Sequence, residues 1–281
     1  MKKIFAFMIL MGTGYQISYA GGGWTQPKGS GYFKLSQFAI IADQYFTPSG
    51  DIVDITTTGI YNTGIYAEYG FTDRFTAILN FPFFSRATLN RKETMDGTLV
   101  EEGDHLNSVG DTDLTLKYGL LQNSGVVLSA SLTLGLPLGE QSGGRTGLLQ
   151  TGDGEFNQML LVEASRSFYP APIYASALVG FNHRTNNFSN EIRYGLEVGY
   201  NPGKFFANLR FYGVNPIKND SQEVVAVNGI FNNNVEYLSI SPEIGYQVTD
   251  KFGASASVGG AFFAKNILAA PTLILGVFMK L

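Results

Sequence analysis

The residues of this chain that could do chemistry are charged side chains set at every second position within otherwise apolar stretches. They are Glu68, Asp113, Lys117, Glu163, Arg184, Glu191, Arg193, Glu197, Arg210 and Glu243. Acids and bases occur in similar number, so a shared face would bring them together as ion pairs rather than as a field of one sign. The two histidines, His105 and His183, lie far apart and carry no carboxylate at ligand spacing. Neither supports a metal site. The acidic run Glu101-Glu102-Gly103-Asp104 beside His105 reads as a solvated loop. Asp111 and Asp153 each follow a glycine, which is turn chemistry, since Asp bonds nearby backbone and Gly admits positive φ. There is no cysteine, so disulfides and thiolate-held zinc are excluded, and no cofactor is expected.

A period of two carries these charges. Thr112, Leu114, Leu116, Tyr118 and Leu120 alternate with Asp113, Thr115, Lys117 and Gly119. Beyond a turn at 122–125, Val126, Leu128, Ala130, Leu132 and Leu134 alternate with Val127, Ser129, Ser131 and Thr133. The same rhythm recurs at 191–200, 205–212, 237–246 and 272–281. Such segments are β-strands with one apolar and one polar face. Tight connections at 71–74, 122–125, 169–172, 201–204 and 249–251 alternate with longer ones at 46–55, 86–110, 139–154, 185–190, 215–234 and 265–269. Short periplasmic turns alternating with longer extracellular loops are the pattern of a transmembrane antiparallel up-and-down β-barrel. The count is about twelve strands, with both termini on the short-turn side and no free edge.

Composition agrees. Hydrophobic residues make up 44% of the 281, and charged residues only 15%, against roughly 25% in soluble domains. Gly (34), Phe (22) and Tyr (15) suit turns and interfacial girdles. With a net charge of −4 and no basic block, nucleic acid is not an expected partner. Lys2 and Lys3, the apolar run 4–11 and Ser18-Tyr19-Ala20 read as a signal peptide over 1–20. Residues 21–30 are then a Gly-rich lead-in carrying Trp24, which either caps the periplasmic mouth or, the reading favoured, lies in the membrane interface, and 31–281 are the barrel. The alternating apolar strand running to Leu281 suits recognition by the barrel-insertion machinery. The other expected partners are outer-membrane lipids and small-molecule solutes.

The segments 109–118 (Val-Gly-Asp-Thr-Asp-Leu-Thr-Leu-Lys-Tyr), 134–139 (Leu-Gly-Leu-Pro-Leu-Gly), 151–154 (Thr-Gly-Asp-Gly) and 241–246 (Ser-Pro-Glu-Ile-Gly-Tyr) resemble the outer-membrane proteins named for the MetA pathway of phenol degradation. These are a family of barrel transporters. The resemblance implies a barrel that takes up hydrophobic or aromatic compounds, and it supplies no catalytic residues. The sequence therefore leads to a channel or transporter whose lumen is lined by Glu68, Asp113, Lys117, Arg193, Glu197, Arg210 and Glu243. A structural barrel with a filled lumen is the competing reading. The third is an outer-membrane lipid hydrolase. Barrel phospholipases carry a His, a Ser two residues later and an Asn, and His183-Arg184-Thr185-Asn186 approaches that spacing with the weaker nucleophile Thr185.

Overall fold

The computed structural model describes residues 22–94, 96–217 and 231–281. The expected signal peptide lies outside the described residues. The strands are β1 (Gly31–Phe46), β2 (Ile52–Thr72), β3 (Phe75–Leu89), β4 (Thr112–Leu121), β5 (Val127–Leu136) and β6 (Asn157–Ser167). They continue with β7 (Ile173–Arg184), β8 (Glu191–Tyr200), β9 (Phe205–Pro216), β10 (Glu236–Gln247), β11 (Phe252–Lys265) and β12 (Thr272–Lys280). Each pairs antiparallel with its neighbours in sequence. The ring closes where β1 pairs with β12 on one side (Gln37↔Leu275) and β2 on the other (Leu35↔Ile65). Closure satisfies the backbone of every long strand without water, which the interior of a bilayer requires.

The dyad pattern sorts the side chains. Along β5, Val127, Ser129, Ser131 and Thr133 are buried inside the ring, whereas Leu132 is exposed on its outer wall. Leu116, Leu196 and Leu275 also point outward, with relative exposures of 40%, 60% and 51%. A belt of exposed leucine, valine and aromatic side chains of this extent is a surface for lipid. Threonines shape two tight turns. Thr72 Oγ1 accepts from the backbone N–H of Arg74 and Phe75, and Thr249 Oγ1 does the same for Lys251 and Phe252.

Three connections differ from the sequence reading. In the expected loop at 265–269, Ile267 and Leu268 form a short strand paired with Phe46 and Tyr45 of β1. The expected loop at 46–55 is only a turn, because Tyr45 and Phe46 pair with Val53 and Ile52. The expected loop at 86–110 begins late. β3 continues to Leu89 and gains the short strand Asp104–Ser108. Polar residues there hid an inward apolar cluster, in which Ala87 and Leu89 pack on Leu106 and on Leu149 of the 139–154 loop. β3 also carries a bulge, since Thr63↔Phe84 is followed by Ile65↔Phe81. The extra residue reverses the parity of β3, so Asn80 faces in below the bulge, while Ala87 faces in and Arg86 out above it.

Beyond β3 the chain forms a small hairpin, Lys92–Glu93 with Leu99–Glu101, whose Val100 is 58% exposed. This end should face the cell exterior. A Val100→Cys variant is expected to react with an impermeant thiol reagent on intact cells. Reaction only after permeabilisation would invert the orientation.

Candidate functional site: the barrel interior

The candidate lining residues all stand on inward positions of their strands, and most meet an opposite charge. Lys117 of β4 pairs with Glu163 of β6 at 3.0 Å, with both side chains under 10% exposed. Arg210 of β9 meets Glu197 of β8 at 2.6 Å, and Tyr174 Oη donates to the same carboxylate at 2.7 Å. Lys34 of β1 pairs with Glu243 of β10 at 2.7 Å. Arg193 and Arg184 both reach Glu191, at 2.8 and 2.9 Å. Glu68 accepts from Gln26 Nε2 at 2.7 Å and from Tyr66 Oη. Asp113 stands opposite Asn80 across the β3–β4 pair.

The short-turn end is narrowed by the segment before β1. Lys117 Nζ donates to Gly22 O at 2.7 Å, Gly23 N donates to Ser165 Oγ at 2.7 Å, and Gln26 N donates to Thr76 Oγ1 at 2.9 Å. Thr25 Oγ1 donates to the Asp73 carbonyl. At Gly23 an added Cβ would lie 3.0 Å from the Glu163 carbonyl oxygen and 3.1 Å from that of Val127, so a side chain would crowd this approach to the wall. Trp24 is thus not at the membrane interface. Its ring meets that of the inward-facing Tyr174 edge-on, with centroids 5.7 Å apart. The hydrogen-bonding capacity of the inner wall overrides the indole's interfacial preference here. Near this segment the interior is aromatic. Tyr32 stacks on Phe278 at 5.6 Å, and Phe206 and Tyr66 complete the group.

The long-loop end is held by carboxylates. Asp104 accepts from the backbone N–H of Arg145 and Thr146 and from the Thr146 hydroxyl. Burial opposes its ionisation, but these donors outweigh burial and hold the carboxyl well below its usual range. Asp111 accepts from Gly139 N and Asp153 N, both at 2.9 Å, tying the two ends of the 139–154 loop to the start of β4. Its role is a long-range staple rather than the local turn expected. Burial and the nearby Asp153 charge push its carboxyl up to about 6 against the pull of the two N–H groups. Asp153 does accept from Glu155 N two residues on, but its other oxygen binds Arg184 at 2.7 Å. Arg184 also binds Glu155 at 2.6 Å and lies over the Phe188 ring.

Lys34, Tyr174 and the inward aromatics escaped the sequence reading, although strand parity marks each of them. Gln26, Asp153 and Glu155 lie off the regular strands, so no periodicity reveals them. The lipid-hydrolase arrangement is not assembled. His183 Nδ1 meets Asn190 Oδ1 at 3.0 Å, Thr185 Oγ1 accepts from Phe156 N, and Asn186 donates to the Gly154 carbonyl. A nucleophile bonded to its base is missing from that set. Among the described residues no three His, Asp or Glu side chains converge as metal ligands.

No known family profile matches the chain, and no curated protein does. Solved structures do. An outer membrane channel from Pseudomonas putida F1 superposes with a TM-score of 0.60 at 14% identity, over 94% of this chain and 99% of that one. The NanC porin superposes with a TM-score of 0.53 at 9% identity, over 89% of this chain and 100% of that one. The closed ring of twelve strands, its apolar outer wall and these likenesses make the chain an outer-membrane β-barrel.

Proposed function

We propose that the chain is an outer-membrane channel for small molecules, hydrophobic or aromatic ones among them. One observation carries this reading. Arg210 faces the interior, yet its side chain remains 48% exposed while bound to Glu197. An inward guanidinium with that much free surface borders an open space at mid-height, not a packed core. The filled-lumen alternative draws on the opposite features at the two ends, where the Lys117–Glu163 pair and the Arg184 cluster are buried. A barrel open in the middle and narrowed at both ends favours slow passage of small solutes over bulk diffusion. The aromatic group Tyr32, Phe206 and Phe278 offers apolar solutes a face beside the ion pairs. The resemblance to barrels of phenol degradation points the same way.

Single-channel recording in a planar bilayer tests this. The wild type should conduct with weak ion selectivity, because acids and bases are mixed along the interior. Arg210→Gln frees Glu197 in the open region and should raise the cation-to-anion permeability ratio several-fold. Arg193 is less suited to the test, since its loss would strip a contact from the buried Glu191. Absence of conductance in both proteins would defeat the channel reading and favour a filled barrel.

A further inference from the structure

The parity reversal in β3 turns a set of donors outward at the long-loop end. Tyr61 of β2 and Arg86 of β3 are directly paired, and Arg86 is paired in turn with Asn107, whose Oδ1 accepts from Arg86 Nη1 at 3.0 Å. His105 stands beside Thr88 one step further out. Among the described residues Arg86 has no carboxylate at ion-pair distance. Arg91 lines the same cavity but is already held by Glu93. Asp104 borders the same place, but its oxygens are occupied by Arg145 and Thr146. Tyr61, Arg86, Thr88 and His105 line an open cavity of about 660 Å³ on the outer face of the wall. Toward the membrane midplane the same faces become apolar, with Ile65 following Tyr61 and Thr63 on β2, and Phe84 following Arg86 on β3. Ile65 and Phe84 are 39% and 44% exposed.

We propose that this outward cavity binds the phosphorylated headgroup of an outer-leaflet lipid. Charge selects an anion, and a guanidinium backed by an amide presents N–H groups that match phosphate oxygens. A tyrosine at the same level supplies the amphipathic ring that favours the headgroup zone. The apolar wall beneath accepts acyl chains, which a free phosphate would leave unused. The assignment rests on the long-loop end facing outward and is independent of whether the lumen conducts.

Thermal midpoints of the detergent-solubilised full chain, titrated with diphosphorylated lipid A, test it. Dephosphorylated lipid A and inorganic phosphate are the comparison probes. The wild type should be stabilised by the diphosphorylated lipid and much less by the other two. Arg86→Gln with His105→Gln should bind it about tenfold more weakly or worse, as expected for loss of a charge-assisted contact. Arg86→Lys should recover part of the loss, and Arg74→Gln, at the opposite end of the barrel, should bind as the wild type does. Undiminished binding by the double variant overturns the proposal. An equal response to dephosphorylated lipid overturns it too, by showing that only acyl chains are held. An equal response to inorganic phosphate refutes the lipid as the source of the anion. If the double variant does not fold, loss of lipid binding in a folded Arg86→Gln single variant supports the proposal, and its retention overturns it.

Discussion

Arg184→Gln should destabilise the barrel by about 3–5 kcal/mol, the cost of stranding buried charge. Three carboxylates converge on this guanidinium, those of Asp153, Glu155 and Glu191. The side chains of Glu155 and Glu191 are 0% and 3% exposed, so water cannot replace the lost partner. Arg193 still reaches Glu191, but nothing comparable remains for Glu155. Burial already pushes the Glu155 carboxyl above its ordinary range, and the Arg184 charge is the main opposing pull. Removing that pull raises the folded-state value further. A carboxyl whose folded value is raised gives stability that is present at acid pH and lost as pH climbs through that value. The deficit of the variant should therefore be greatest at neutral pH and shrink on acidification. Denaturant unfolding in lipid vesicles at neutral and acid pH measures both effects. Arg210→Gln is the control: the arginine is 48% exposed, and Glu197, though only 11% exposed, keeps the Tyr174 hydroxyl as a donor, so the loss should be smaller, about 1 kcal/mol. Equal losses for the two variants would show that the cluster is as wet as the mid-height pair.

The strand rhythm was legible because a barrel wall imposes a strict period of two on every residue between water and lipid. Leu196 and Glu197 need no more context than their alternation to be assigned outward and inward. The rule fails where something other than the wall sets the environment. β3 reads as ending near Phe84, because its bulge breaks the parity and its continuation is polar on the outer side. Trp24 reads as an interfacial anchor because its type says so, yet it follows the backbone of Gly22 and Gly23, which is fixed to Lys117 and Ser165. Asp111 reads as a turn residue because its partners, Gly139 and Asp153, are distant in sequence. The charged lining was visible as a set, but which acid meets which base depends on strand stagger. Lys34 and Glu243 lie at opposite ends of the chain and meet only because β1, β12, β11 and β10 are consecutive around the ring.

Arginine scanning should separate the two faces of the wall. Leu196→Arg places a guanidinium on the outer wall near the middle of β8, where the leucine is 60% exposed to the surroundings of the barrel. That should cost about 2–4 kcal/mol, the range for arginine near the bilayer midplane. Ser257→Arg faces the interior directly opposite Glu243, on a half-buried position of β11. There the new cation shares Glu243 with Lys34 and borders the space that Arg210 reaches, so the change should cost no more than about 1 kcal/mol. Inward parity alone does not guarantee such tolerance. Ser131 is also inward but only 3% exposed and lies directly opposite Lys117. An arginine at 131 would overpack the wall and repel that lysine, so a cost of about 1–3 kcal/mol is expected. Urea-dependent folding into phospholipid vesicles gives all three values on one scale. The expected order is Ser257→Arg, then Ser131→Arg, then Leu196→Arg. A Ser257→Arg cost as large as that of Leu196→Arg would mean that the interior is closed at mid-height, and the channel reading would fall with it.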